Sequence, residues 1–415
     1  MKKGFYFTLA FLLTNTLSAQ FVNDFFTDTT QRVSVEFNAN YTYGSDAVNN
    51  EFLNKFLYGG RIEQSEKEAV YKNLSALNTM GQDVNFNLNV TIPIDTLFNK
   101  TTLSLLFGIE FVEHFDAQFT EDLFKFTFDG NKQFAGQKAE LSNTDFNYFQ
   151  YQQLNIGLIN TQTKNKRQTK EGIIVSLIKG QNHQAMVMPR GSLFTEQDGK
   201  EIVLDMNYTY NSSDTANTGL SAFNGFGVST DLFTDFVLKN GDKIHLAIND
   251  LGFIYFNKSS LQYNADSSFY YDGIEVDNVF NLNDSVLSDI SQDSIVNNIS
   301  NVEKGDYSIA LPTALNLNYT KYFNQKWKLN VGLYHKILSN YFPLIYTNTY
   351  YYFNPTFALK AHVSYGGYGK FNGGLAVAKT IKNFDVIIGT NNLTAFFLPS
   401  STYANSGFVG VKAYF

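Results

Sequence analysis

Cysteine is absent from this 415-residue chain. Disulfides are therefore excluded, as is anchoring through an N-terminal lipidated cysteine, and stability has to come from size, pairing and burial. No run of eighteen apolar residues occurs beyond the N-terminus, and the mean hydropathy is slightly negative, which excludes a helical membrane protein. Proline is scarce, with 6 residues, and no Pro/Gly/Ser-rich linker divides the chain, so one large unit fits better than several domains. A basic stripe is missing too: the net charge is −7, which argues against a nucleic-acid partner. Tryptophan occurs once, at Trp327, while Tyr and Phe number 26 and 40, an aromatic supply suited to strands and to interfacial girdles.

What is present is alternation. From Arg32 to Tyr43 the residues Val33, Val35, Phe37, Ala39, Tyr41 and Tyr43 are apolar, and Arg32, Ser34, Glu36, Asn38, Asn40 and Thr42 are polar. Successive strand side chains point to opposite faces, so this stretch separates an oily surface from a wet one. Twelve residues in register exceed the four to eight of a soluble half-buried strand and suit a tilted bilayer crossing. The pattern returns at Val84, Phe86, Leu88, Val90 and Ile92, set against Asp83, Asn85, Asn87, Asn89 and Thr91. Further rows run through Leu103–Phe111 and Ile202–Tyr210, and the last segment alternates up to Phe415, an aromatic end common among bacterial outer-membrane barrels.

The expected fold is all-β: a closed antiparallel transmembrane barrel of about 14 strands, with helical insertions in loops or lumen. Residues 1–19 have the three parts of a secretory signal, with cleavage expected between Ala19 and Gln20, and residues 20–415 form the single barrel domain. Three insertions interrupt the strand pattern, near 49–80, 113–144 and 261–306. The first is helical in character through Phe52, Leu53, Phe56 and Leu57, and the second holds a short helix near Thr120–Phe126. The third contains nine acidic residues and one Lys, yet no calcium-loop spacing, so it reads as solvated loop.

No motif of catalysis stands out. The five histidines, His114, His183, His245, His335 and His362, are scattered singly; no G-x-S-x-G elbow, phosphate loop or metal-ligand spacing occurs. Glu113-His114 reads as the polar edge of a loop at a strand end. No catalytic residue, metal ligand or cofactor site is expected. Arg32, Glu36, Asn38, Asn85, Asn87 and Asn89 are the expected lumen-facing residues, and they suit a water-filled path as well as a closed hydrogen-bonded interior.

Several ordered stretches resemble a family of Bacteroidota outer-membrane barrels of unknown function, related to FadL- and PorV-type barrels. They include Asn50–Phe56, Asn249–Ile254, Leu311-Pro312-Thr313, Gly366–Gly369 and Gly389–Leu393. The chain departs from FadL-type chains in having no N-P-A stretch between Gln20 and Gln31. The resemblance implies an outer-membrane location, a barrel of roughly fourteen strands and no assigned catalytic residue. The expected function is a non-enzymatic integral outer-membrane barrel, in contact with outer-membrane lipid, that passes or binds a small or hydrophobic solute. The alternative is a PorV-like accessory barrel whose loops bind a protein partner of a secretion or assembly system, and a third reading is a secreted soluble β-sandwich.

Overall fold

The computed structural model describes residues 25–26, 32–98, 100–164, 167–271 and 301–415. The expected signal segment, its cleavage pair Ala19 and Gln20, and most of the acidic insertion lie outside these residues. Fourteen strands form the wall. They are β1 (Ser34–Ser45), β2 (Leu77–Pro93), β3 (Leu103–Thr120), β4 (Thr144–Lys164), β5 (Arg167–Thr195), β6 (Gly225–Val237) and β7 (Lys243–Phe256). The second half comprises β8 (Thr313–Tyr322), β9 (Trp327–Ile337), β10 (Phe342–Asn354), β11 (Phe357–Gly367), β12 (Phe371–Ile381), β13 (Phe384–Thr390) and β14 (Ala404–Tyr414). Each pairs antiparallel with the next, and β14 returns to β1 with Ser34 opposite Tyr414 and Gly44 opposite Ala404. The sheet is therefore a closed 14-stranded barrel, and closure leaves the ring no edge.

The wall is inside out relative to a soluble protein. Phe37, Leu88, Ile109, Leu154 and Leu177 stand in one register row across β1 to β5, with Phe37 40% and Ile109 58% exposed. Their sequence neighbours Asn38 and Asn87 face inward and are 4% and 5% exposed. Such an exterior matches hydrocarbon and not water, and it overturns the soluble β-sandwich reading.

The ends are unequal. Phe25, the C-terminal Phe415, tight turns such as Phe323–Lys326 and Lys382–Asn383 and the nine-residue connection from Pro93 to Leu103 sit at one end, while the longer connections sit at the other. The first insertion folds as helices α1 (Asn50–Tyr58) and α2 (Gln64–Tyr71), which lie against the outer face of the wall instead of inside the lumen. Phe52, Leu53 and Val70 pack on Tyr43 and Phe119, outward residues of β1 and β3, so the helices cover apolar wall at the long-connection end. Helix α3 (Glu121–Asp129) adds Phe124 to that cluster.

Two expected insertions are corrected. The segment from Glu113 is not loop: β3 continues to Thr120, because the inward row simply passes from apolar Val112 to polar His114 and Asp116. The stretch from Leu261 begins as a strand, Leu261–Tyr271, and resumes with short strands at Asn301–Lys304 and Tyr307–Ala310. Conversely, the alternating row Ile202–Tyr210 does not join the ring. β5 runs for 29 residues; its lower half pairs with β6, and its upper half leaves the barrel to carry a side sheet with the strands Ile202–Ser212 and Leu261–Tyr271.

Candidate functional site: a roofed cavity in the lumen

Inside the wall, the asparagines of β1 and β2 form a ladder. The Asn38 Nδ2 group donates to Glu36 Oε1 and Asn87 Oδ1 at 3.0 Å each, and Asn89 Nδ2 donates to Asn87 Oδ1 at 3.2 Å. Of the expected lumen residues, Glu36, Asn85, Asn87 and Asn89 line a cavity of about 680 Å³. Asn38 supports that lining from the ladder, and Arg32 stacks on the Tyr414 ring at 4.7 Å near the barrel base.

The cavity has a roof, built from residues that reach across the barrel. Lys336 on β9 pairs with Asp83 on β2, and those two strands stand seven apart either way round the ring. His114, 3% exposed, places Nδ1 2.7 Å from Asp83 Oδ1 and Nε2 3.4 Å from Asp116 Oδ2. It is a lumen residue, which corrects its expected place at a loop edge. From the β9–β10 connection, Asn340 donates its backbone N–H to Asp116 Oδ2 at 3.2 Å and its side-chain amide to Asp145 Oδ1 at 2.5 Å. Tyr334, Tyr341, Tyr346 and Tyr368 fill the space beside these bridges. Across the lumen, Phe149, Tyr151, Ile254, Phe256 and Leu311 fill the rest. These cross-barrel bridges and the aromatic rings between them occupy the level above the cavity.

Below the roof the lining reaches Asn324, Gln325 and Pro355, which belong to turns at the short-turn end. Phe25 lies at this level against Tyr350, ring centroids 5.1 Å apart, and its carbonyl accepts from the Tyr352 hydroxyl at 2.9 Å. The cavity is thus shut toward the long connections and reaches the opposite rim.

Charge is sorted along the cavity. Lys170, Lys243, Lys412 and Arg167 lie near the short-turn end, with Glu36 3.1 Å from Lys412 Nζ and Asp235 3.3 Å from Lys243 Nζ. Higher up stand Glu110, Asp231 and Asp250. A bulge sets the last two side by side: opposite Asp231, β7 carries one residue more, Asp250 takes φ +58, and its N–H donates to Asp231 Oδ1 at 2.8 Å. Sequence reasoning missed these groups. Asp83 and His114 were accessible, since they continue inward rows, whereas the bulge left no sequence signal. Among the described residues, no grouping of three His, Asp or Glu side chains is arranged to hold a metal ion.

Residues 25–391 match the family described as "Family of unknown function (DUF5723)". The chain belongs to this family. A comparison with curated proteins finds no match. Among solved structures, the chain is similar to the Ralstonia pickettii toluene transporter TbuX, with 8% identity over 93% of this chain and 90% of that one and a TM-score of 0.44. It is similar also to the P. putida toluene transporter TodX, with 10% identity, coverage of 93% and 89% and a TM-score of 0.40. A Pseudomonas aeruginosa FadL homologue matches at 9% identity, with coverage of 92% and 90% and a TM-score of 0.40.

Proposed function

We propose that this chain is a non-enzymatic outer-membrane barrel that binds a small solute in its lumen, with the cavity open toward the periplasm and shut toward the outside. Export is assigned to residues 1–19. The orientation follows from the unequal ends, because outer-membrane barrels keep short turns in the periplasm and long loops outside. The observation that carries the reading is the cavity of about 680 Å³ beneath the Lys336–Asp83 and Asn340–Asp116 bridges. Its volume lies within the range of small-molecule sites, and its asparagine, carboxylate and ammonium lining favours a polar solute over a hydrophobic one. The roof favours a binding or gated barrel over an open pore.

Liposome swelling tests this reading. Purified full-length protein should admit a small sugar slowly or not at all, whereas the double variant Asn340→Gly, Tyr368→Ala should admit it freely. Free entry through the unmodified protein would overturn the roofed arrangement.

A further inference from the structure

The sorting of charge in the cavity goes beyond the need to fill a lumen. At the short-turn end, two of the cations are matched: Lys412 by Glu36 and Lys243 by Asp235. Lys170 is different. Its backbone N–H donates to Asp235 Oδ2 at 2.8 Å, and its ammonium lines the cavity within the field of Glu36 and Asp235, but among the described residues those carboxylates make their ion pairs with Lys412 and Lys243 and none with Lys170. Three ammonium groups thus share two carboxylates at this level, which leaves a place for an anion.

The other level has the opposite need. Among the described residues Glu110 has only amides as hydrogen-bond partners, Asn85 and the Asn155 Nδ2 group at 3.4 Å, and Asp250 accepts from Gln153 Nε2 at 2.7 Å. No Lys or Arg contacts Glu110, Asp231 or Asp250 among the described residues. A second observation points the same way: Asn155 is 4% exposed, lines the cavity, and its Oδ1 has no hydrogen-bond partner. That oxygen and the carboxylates together present acceptors only, a cradle for a donor-rich cation such as a primary ammonium.

The spacing of the two levels limits what fits. Lys170 is level with Asp235 through the hydrogen bond just given, and Asp231 lies four residues further along β6, about 13 Å away at the rise of a strand. That figure separates backbone positions, and the Lys170 and Asp231 side chains reach into the interval, so a solute of two to three residues, up to about 10 Å when extended, suits it.

We propose that the cavity takes a zwitterionic solute of short-peptide length, its anionic end at Lys170 and its cationic end among Glu110, Asp231, Asp250 and the Asn155 carbonyl oxygen. The assignment rests on the lumenal binding reading above and names the class of solute for that same cavity.

Calorimetric titration of the detergent-purified full-length protein tests it with four probes: trialanine, its N-acetyl form, its C-terminal amide and neutral sorbitol. Trialanine binds, and each capped form binds about tenfold or more weakly, since each loses a charge-assisted hydrogen bond. In Lys170→Gln, trialanine and its amide bind equally, while the penalty for N-acetylation persists. Equal binding of the free and capped peptides to the unmodified protein overturns the dipolar assignment without recourse to any variant. Binding of sorbitol with no response to any peptide overturns it too, yet leaves the lumenal binding reading standing. No response to all four probes overturns the assignment, and the swelling experiment then decides the roofed arrangement separately.

Discussion

Phe37 and Asn38 are adjacent in sequence, yet they meet opposite media: the first is 40% exposed on the outer wall, the second sits in the asparagine ladder. Phe37→Arg places a guanidinium on the lipid face and should weaken assembly by about 2–4 kcal/mol if the site lies near the bilayer midplane. Loss of heat-modifiable gel mobility is the measurement, and normal mobility would contradict the assignment of faces. Inward, Gly81 is the tightest demand at this scale. A Cβ there would meet the Tyr368 ring at 2.2 Å, so Gly81→Val should displace Tyr368 from the roof and raise solute entry into liposomes. The strict alternation made both faces legible from residues alone. The partners across the lumen were not legible, because Asp83 and Lys336 are 253 positions apart and nothing in either neighbourhood names the other.

The helical insertion shows what local pattern reveals about an element and what it omits. The spacing of Phe52, Leu53, Phe56 and Leu57 announces a helix, and the structure starts it at the Asn49 cap, whose side chain accepts from the Phe52 N–H at 3.0 Å. Its place on the outer wall could not be read, since the same apolar stripe would suit a lumen plug. The pair is tied by Lys55 to Glu66, and Glu66 also closes the capping box of α2 by accepting from the Glu63 N–H at 2.8 Å. The Lys55 ammonium, with the Glu63 N–H second, holds the Glu66 carboxyl below its ordinary range. A lowered folded-state value means that this stabilisation is present above the unfolded carboxylate range and is lost as pH falls through the folded one. Protection of the amides across residues 50–71, taken relative to their intrinsic exchange rates at each pH, should therefore fall below about pH 4, and Glu66→Gln should remove most of that pH dependence. A Glu66→Gln variant that kept the full pH dependence would place the tie between the helices elsewhere. A strand can mislead as well: Ile202–Tyr210 alternates, with Val203 the one break in its polar row, but pairs with the part of β5 that has left the ring, a choice made by long-range pairing.

The whole molecule is a cylinder with one heavy end. The helices, the side sheet on upper β5 and the Leu393–Phe396 turn all gather there, and at the other end the described connections are shorter, none longer than the nine residues between Pro93 and Leu103. The strand number came from alternating windows, roughly fourteen to seventeen of them, together with the even count of single-chain barrels, but the sidedness needed the pairing order, which alone shows that the long insertions fall on the same side. The absence of cysteine makes this directly measurable, because any introduced thiol is unique. Thr215→Cys lies exposed in a long connection, and Gln325→Cys lies exposed in the turn between β8 and β9. A membrane-impermeant maleimide applied to intact cells should label the first and spare the second, and both should label once the outer membrane is opened. Reversed labelling would turn the cavity mouth outward and make the roof a periplasmic gate. Labelling of Gln325→Cys from outside in the unmodified wall, but not after the probe is enlarged beyond the lumen, would instead show that solutes cross the closed level. The two results bear on different parts of the proposal, the first on orientation and the second on closure.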